Sequence, residues 1–283
     1  PLDGVTAVPA DSDLYGFTRD LSLLLGSTFG LPFAADSLVL VYRPEAIPEF
    51  PGTWEGLFET DEVLTFAAES DQALFQLALY QAAGGAVQDN QRRPDLAFDP
   101  LIRVLRYIKD GVEAGLFPES LDQFQGMSQV WSAFRDGQTD LAVTWASNYL
   151  QEGPVDSVMA PFFPISDNAV SLGTGINWAL AAPEEHRHAL SVALAEYLVE
   201  PAFLSSWTEA AGYLPPRPSS LEGWRDQNLR TTAGKIVLMT KLAPSNDILS
   251  SLGPIMRDAT RQILQDLADP AQAAQVAVES LEE

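Results

Sequence analysis

The amino-acid sequence of 283 residues predicts an α/β fold, because strand patterns alternate with helix patterns along its length. The run Leu38-Val39-Leu40-Val41-Tyr42 is apolar without interruption, which is typical of a strand buried on both faces. Apolar residues between positions 101 and 112 recur at helical spacing. Leu141, Val143 and Trp145 alternate with smaller residues, which predicts another strand.

In the first half of the chain, capping residues and glycines mark where the elements begin and end. Thr53 follows Pro51-Gly52 and is placed to cap a helix. Ser70 caps a second helix, which ends at Gly84-Gly85 because glycine tolerates the left-handed conformation beyond a helix. In chain order we predict a strand at 38–42, a helix start at 53, a strand at 63–67, and helices at 70–83, 99–112 and 128–136.

The second half of the chain repeats this alternation. Residues 176–182 are predicted as a strand, and Pro183-Glu184-Glu185 starts a helix with two acids at its positively polarised end. Gly212-Tyr213-Leu214-Pro215-Pro216 is a turn with little conformational freedom. Two helices, at 255–267 and 270–281, are predicted at the end of the sequence.

Composition excludes several classes of protein. Lys and Arg number 16 against 39 Asp and Glu, and the formal net charge of −23 repels nucleic acid and anionic lipid. We therefore expect no nucleic-acid partner. No apolar run approaches the ~20 residues of a membrane span, so we expect no direct membrane insertion in this segment. There is no cysteine, which excludes disulfides and thiolate sites.

Signatures of catalysis and of cofactor binding are absent from the sequence. There is no nucleophile elbow or phosphate-binding loop, and Gly173-Thr174-Gly175 precedes a strand rather than a helix. The two histidines, His186 and His188, lie two residues apart on a helix and do not face one another. We therefore predict no catalytic residue, no cofactor and no metal site. A pair of carboxylates that cleaves a saccharide stays open as an alternative, because the chain has 39 acids.

Two of the six tryptophans have polar neighbours in the sequence. Trp145 is followed by Ser147, Asn148 and Tyr149, and Trp178 is preceded by Asn177. A flat ring beside hydrogen-bonding groups suits a sugar, because the ring covers the apolar C–H face while the polar groups bind hydroxyls. Strand tryptophans also fill cores, so both interpretations remain open from the residues alone.

Four segments carry a resemblance to a known family. Gly30–Tyr42 resembles a strand that crosses between lobes, and Pro51-Gly52-Thr53-Trp54 resembles the helix start that follows it. Phe134–Leu141 resembles an element of helix, glycine and strand, and Gly212-Tyr213-Leu214-Pro215 resembles a Gly-x-x-Pro turn. In this order and spacing, the chain resembles the sugar-binding members of the bacterial extracellular solute-binding superfamily from end to end.

The resemblance implies which residues bind the ligand. Polar and aromatic side chains fall at the family's ligand-contacting positions: Asp36, Asp71, Gln72, Trp145, Asn148, Tyr149, Asn177, Trp178, Tyr213 and Arg217. The family has an aromatic residue beside the Asp71 position, where this chain has Leu74. This departure argues against a long maltodextrin as the ligand.

The resemblance also implies a periplasmic-binding-protein-like fold of two lobes. We expect the first lobe at residues 1–36 and 173–220, and the second lobe at 37–172 and 221–283. Relatives have a strand, helix, strand, helix and strand before the segment that Pro1-Leu2-Asp3 resembles. The expectation is therefore a first lobe without its opening strands, whose exposed surface is covered by a partner, a swapped segment or self-association.

The function implied by the resemblance is solute capture without chemistry. The ligand is expected to be a mono- or oligosaccharide, and the partner is the permease of an ABC importer. The expected location is extracellular or periplasmic, with a lipid anchor in a segment that precedes this sequence. Two alternatives stay open: an enzyme that acts on saccharides with a carboxylate pair, and a solute-sensing ectodomain of a signalling receptor.

Overall fold

The computed structural model of the protein describes residues 1–8, 11–154, 156–165, 168–181 and 184–282. In chain order, its strands are β1 (Leu23–Leu24), β2 (Ser27–Thr28), β3 (Gly30–Tyr42), β4 (Leu64–Thr65), β5 (Leu141–Trp145), β6 (Val158–Ala160), β7 (Ser171–Ala179) and β8 (Thr240–Leu242). Its α-helices are α1 (Gly16–Leu21), α2 (Leu74–Ala82), α3 (Phe98–Glu113), α4 (Met127–Arg135), α5 (Ala146–Glu152), α6 (Glu185–Leu198), α7 (Pro201–Ala211), α8 (Pro218–Glu222), α9 (Gln227–Met239), α10 (Asn246–Leu264) and α11 (Pro270–Glu282). Two 3-10 helices lie at Glu55–Glu59 and Glu119–Gln123. The predicted α/β class is confirmed.

The chain divides into two compact units. Unit 1 comprises Pro1–Ser37, Ala146–Glu152 and Gly173–Leu242. Unit 2 comprises Leu38–Trp145, Gly153–Leu172 and Ala243–Glu283. The chain therefore passes between the units several times, and β3 contributes its first part to unit 1 and its second part to unit 2.

Unit 1 contains an antiparallel pair made by the first part of β3 and by β7. Gly30 lies opposite Ala179 at one end of this pair and Ser37 lies opposite Gly173 at the other, with a register shift between Pro32 and Ala34. Strand β8 lies on the other side of β7. An apolar cluster forms on this unit because β3 and two helices contribute side chains to it: Leu2, Leu31, Phe33, Ala34, Val192, Val199 and Leu204.

Unit 2 contains the second part of β3, which pairs antiparallel with β5 and with β6. Strand β4 adds to β5 in the parallel direction. The strand predicted at 38–42 lies here and is buried as its apolar sequence requires. Helices α2, α3, α10 and α11 pack together, and the largest fully buried side chains of this unit are aromatic: Phe66, Phe75, Tyr80, Phe117 and Phe134.

Several predicted boundaries differ from the observed ones. Residues 221–242, expected in the second lobe, belong to unit 1, because the Thr240 hydroxyl lies 2.8 Å from that of Ser37 and α9 buries Ala233 and Ile236. Residues 146–152 also belong to unit 1. The strand expected at 176–182 is observed as β7, which begins earlier, at Ser171, and ends at Ala179. Residues 182 and 183 lie outside the described residues. Helix α10 begins before position 255 and continues through Pro254. None of the described helices is both long enough and apolar enough to cross a membrane.

Candidate ligand-binding site

Asp36 lies at the end of the unit 1 part of β3, where its carboxylate is buried. Oδ1 accepts hydrogen bonds from the backbone amides of Ser37 at 2.9 Å and Ser147 at 3.0 Å, and Oδ2 accepts one from the Ser147 hydroxyl at 2.5 Å. Burial raises the pKa of Asp36 to about 6, because desolvation outweighs the hydrogen bonds that favour the charged form. Both carboxylate oxygens of Asp36, a predicted ligand-binding residue, thus accept hydrogen bonds from protein groups.

The contacts of Asp36 fix the first turn of α5, the helix that carries two further predicted residues. Asn148 and Tyr149 follow Ser147 directly and are half-buried on this helix. The amide of Ser147 would have no partner within the helix, because the first amides of any α-helix lack an acceptor one turn earlier. Asp36 supplies that acceptor and so positions Asn148 and Tyr149 within unit 1.

The turn that carries Tyr213 packs against both β3 and α5. Leu214 and Ala35 exchange two backbone hydrogen bonds, of 2.8 and 2.9 Å. Gly212 adopts a φ of +69°, and a Cβ there would lie 2.5 Å from Cγ of Gln151 on α5. Only glycine fits this conformation and this approach. The structure therefore brings the segments that carry Asp36, Asn148, Tyr149 and Tyr213 together in unit 1.

Arg217, at the end of the same turn, has a different environment. Its guanidinium is buried and pairs with Asp11 at 3.1 Å and with Asp13 at 3.7 Å. Two carboxylates neutralise its charge, as burial of a guanidinium requires. The contacts observed for Arg217 tie the turn to residues 11–13.

Asn177 and Trp178 lie at the end of β7. Nδ2 of Asn177 donates to the Leu21 carbonyl at 2.9 Å, and its Oδ1 is buried without a hydrogen-bond partner among the described residues. Trp178 contacts Phe33, with ring centroids 5.0 Å apart, and is 40% exposed. Trp178 also lines an open groove of about 270 Å³ whose walls are mainly aliphatic, which we call the apolar groove: Leu2, Leu31, Trp178, Ala179, Leu180, Ala181, Ser191, Val192, Leu194, Ala195 and Leu198. The exposed part of Trp178 therefore lies beside mainly aliphatic side chains, and its contact with a ligand stays a prediction.

Asp71 and Gln72 lie in unit 2, on the loop before α2, and both are exposed. They line an open cavity of about 430 Å³, here called the polar cavity, together with residues of α10: Asp71, Gln72, Asn246, Leu249, Ser250, Pro254 and Arg257. The Asp71 carboxylate forms an ion pair with Arg257. Carboxylate, amide, hydroxyl and guanidinium groups thus converge on one cavity, which is the arrangement that binds a hydroxylated solute.

The α10 residues of the polar cavity were missed by sequence reasoning. Arg257 lies 186 positions from its partner Asp71, so their contact leaves no local pattern. One signal was available in the sequence: Gly253-Pro254, two residues that are unusual in a helix interior, lies within the amphipathic helix α10. A Cβ at position 253 would collide with the Asp71 carbonyl. Gly253 therefore allows the Asp71 loop to pack directly on the helix backbone.

Trp145 lies in unit 2 at the end of β5, opposite Leu38. It is half-buried. Its predicted contact with a ligand stays a prediction, as do those of the other nine residues. Within the described part of the chain, no group of three or more His, Asp or Glu side chains is arranged to hold a metal ion.

Several solved structures with a similar fold are described as sugar receptors or sugar-bound proteins. The GacH receptor of Streptomyces glaucescens, solved unliganded and with acarbose, is 21% identical with a TM-score of 0.75, over 99% of this chain and 76% of that one. The sugar-binding protein MalE of Xanthomonas citri is 19% identical with a TM-score of 0.79, over 100% and 78%. An ABC transporter solute-binding protein of Thermotoga lettingae, bound with α-D-tagatose, is 16% identical with a TM-score of 0.71, over 95% and 76%. These likenesses establish a two-lobe periplasmic-binding-protein-like fold.

Sequence comparison defines the family. The model of the bacterial extracellular solute-binding proteins matches residues 3–231, which is most of the chain. This protein therefore belongs to the bacterial extracellular solute-binding proteins. No curated protein sequence matches it.

Proposed function

We propose that this protein captures a carbohydrate outside the cytoplasm and delivers it to the permease of an ABC importer. Membership of an extracellular solute-binding family supports the receptor role. The structural neighbours support the ligand class, since they bind acarbose, a sugar and tagatose, and one of them is described as part of an ABC transporter.

The observation that carries the proposal is the polar cavity of unit 2. Its walls offer the acceptors of Asp71, the amides of Gln72 and Asn246 and the hydroxyl of Ser250, which together match the alternating donors and acceptors of a sugar. Asp71 and Gln72 are exposed, so a solute reaches them without rearrangement of the core. Buried carboxylates such as Asp36 are already engaged by protein donors.

The test is a binding screen with glucose, maltose, maltotriose, tagatose and mannitol, followed by calorimetry on the best binder. A ligand that binds only the folded state at 100 times its Kd raises the unfolding free energy by about 2.7 kcal/mol, so a thermal shift is expected. Asp71→Asn should weaken binding, whereas Asp110→Asn, at an exposed position of α3 in the same unit, should not. Binding of none of these sugars contradicts the proposal.

Whether the sugar is recovered intact after incubation distinguishes a receptor from an enzyme. Prolonged incubation of the best binder with the protein should return it intact, because a receptor releases what it binds. Cleaved product in stoichiometric excess over protein would establish the alternative of a saccharide-acting enzyme.

A further inference from the structure

The end of helix α7 brings Tyr213 back onto its own helix. Gly212 has the left-handed conformation in which helices commonly end, and the Tyr213 amide donates to the Thr208 carbonyl at 3.0 Å. At helix ends of this kind, the residue after the glycine often packs on an apolar side chain of the last turns. Trp207 is that side chain, because its ring lies parallel to the ring of Tyr213, with 6.0 Å between centroids and 6° between planes. The fold of α7 thus fixes which ring Tyr213 contacts.

The Trp207 ring is in turn held by Phe33 of β3. Their centroids are 4.2 Å apart, and Phe33 is buried in the apolar cluster of unit 1. The register of β3 against β7 shifts between Pro32 and Ala34, and an irregularity of this kind re-aims the side chain at its position. Phe33, Trp207 and Tyr213 therefore form a series of ring contacts, here called the aromatic row, that is anchored in the core.

The Tyr213 hydroxyl takes no part in these contacts. It forms no hydrogen bond with the described residues, whereas the Tyr80 hydroxyl donates to the Ala86 carbonyl at 3.1 Å. Tyr213 is half-buried, and the two backbone hydrogen bonds between Leu214 and Ala35 fix the turn that carries it. A phenol hydroxyl both donates and accepts, as a sugar hydroxyl does. Tyr213 thus combines a fixed ring with a polar group that is free to bind a solute.

We propose that Trp207 is a positioning residue for sugar binding, which holds the Tyr213 ring so that its free hydroxyl meets a hydroxyl of the sugar. This inference rests on the proposed function and adds a residue that acts through Tyr213. A ring that is already immobilised loses no further rotamer freedom when the ligand binds. Without Trp207, the Tyr213 side chain adopts other rotamers, and binding has to order it each time.

The experiment measures affinity by calorimetry, with the tightest binder among glucose, maltose, maltotriose, tagatose and mannitol as the probe. Trp207→Leu should weaken binding about tenfold, the scale of ordering one side chain. Trp207→Phe keeps a ring for Tyr213 to pack on and should restore the affinity to within about twofold of wild type. The matched control is Phe203→Leu, one turn earlier on the same face of α7. Phe203 packs on the same apolar cluster but contacts the Tyr197 ring, so its loss should leave affinity unchanged.

A double-mutant cycle separates a positioning role from a purely structural one. Tyr213→Phe removes the hydroxyl alone and should weaken binding about tenfold, the scale of one ligand hydrogen bond. In the Tyr213→Phe background, Trp207→Leu should cost less than about a further twofold, because residues that act as one unit are not additive. Fully additive losses would show that Trp207 supports the apolar cluster only, and would overturn the inference.

A measurement on the wild type needs no Trp207 variant and decides the matter if Trp207→Leu does not fold. In protein labelled with 3-fluorotyrosine, the fluorine resonance of Tyr213 is identified by its loss in Tyr213→Phe, and it should move when the sugar is added. A Tyr213 resonance that ignores a bound sugar, or full affinity in Trp207→Leu, overturns the inference while the proposed function stands. If the wild type binds none of the five sugars, the proposed function fails and the positioning role with it.

Discussion

The residues predicted to bind ligand contact different partners in the two units. In unit 1, Asp36 and Arg217 are buried and bonded to protein groups, and Trp178 faces the apolar groove. In unit 2, Asp71 and Gln72 are exposed and line the polar cavity. The difference teaches that polar side chains at the family's ligand positions have unlike protein environments in the two units, because such groups also satisfy the backbone and fix turns.

The two units also differ in the polarity of their exposed surfaces. Beside the apolar groove, α6 exposes Leu190, Leu194 and Tyr197, at 78%, 58% and 55%. Contiguous apolar surface of this kind packs against protein, whereas a cavity lined by amides and carboxylates binds a hydroxylated solute.

The largest expected effect concerns the buried carboxylate of unit 1. The folded-state pKa of Asp36, about 6, lies above the ordinary pKa of 3.8 for this carboxyl group, so between these two pH values the folded protein keeps a proton that the unfolded chain has lost. Its contribution to stability is therefore present below pH 4 and declines by about 3 kcal/mol as the pH rises through 6. Asp36→Asn, which mimics the protonated form, should lack this slope. Urea unfolding from pH 4 to 7 gives the unfolding free energy of the wild type and of Asp36→Asn as a function of pH. The same pH dependence in both proteins would contradict a raised pKa of Asp36.

Gly253→Val tests the packing of the Asp71 loop on α10 in unit 2. The added side chain meets the Asp71 carbonyl, which is backbone and cannot rotate away, so we expect a loss of about 2 kcal/mol in unfolding free energy. Sugar affinity should fall as well, because Asp71 and Gln72 are displaced. Gly234→Ala in α9, where a Cβ has space, is the control and should be neutral or stabilising by less than about 1 kcal/mol. Equal stability of Gly253→Val and wild type would show that the loop is not fixed by this contact.

Trp145→Ala and Trp178→Ala sharpen the comparison of the two units at their aromatic residues. At least one of the two rings is predicted to stack on the ligand, and the walls of the groove beside Trp178 are mainly aliphatic. We expect Trp145→Ala to weaken sugar binding by about 1.5 kcal/mol, roughly tenfold, and Trp178→Ala to leave it unchanged. Calorimetry with the best sugar distinguishes the two. The reverse result would assign the ligand-facing ring to unit 1.

The smallest effect on stability is expected at the exposed face of α6. Leu190→Gln with Leu194→Gln should change the unfolding free energy by less than about 0.5 kcal/mol, since both side chains are already in water. Binding of the dye ANS should nevertheless fall, because the dye reports contiguous apolar surface. Leu267→Gln, at an equally exposed leucine of unit 2, should leave dye binding as it is. Undiminished dye fluorescence after the α6 changes would place the apolar surface elsewhere.

The sequence by itself determined the elements whose signals are local. The apolar run at 38–42, the spacing in α3 and α4 and the glycine of the 212–216 turn predict their structures because each depends on neighbours within a few residues. The ordered motifs also indicated the family, which the match over residues 3–231 confirms.

Tertiary structure alone decided which of these elements pack together and what each polar side chain contacts. Ser37 meets Thr240 across 203 positions, Arg217 meets Asp11 across 206, and Asp71 meets Arg257 across 186. Such pairs leave no periodic trace in the chain, because their partners are set by the path of the backbone and not by spacing. The same carboxylate type is therefore buried at Asp36 and exposed at Asp71, and only the fold distinguishes a helix cap from a candidate ligand contact.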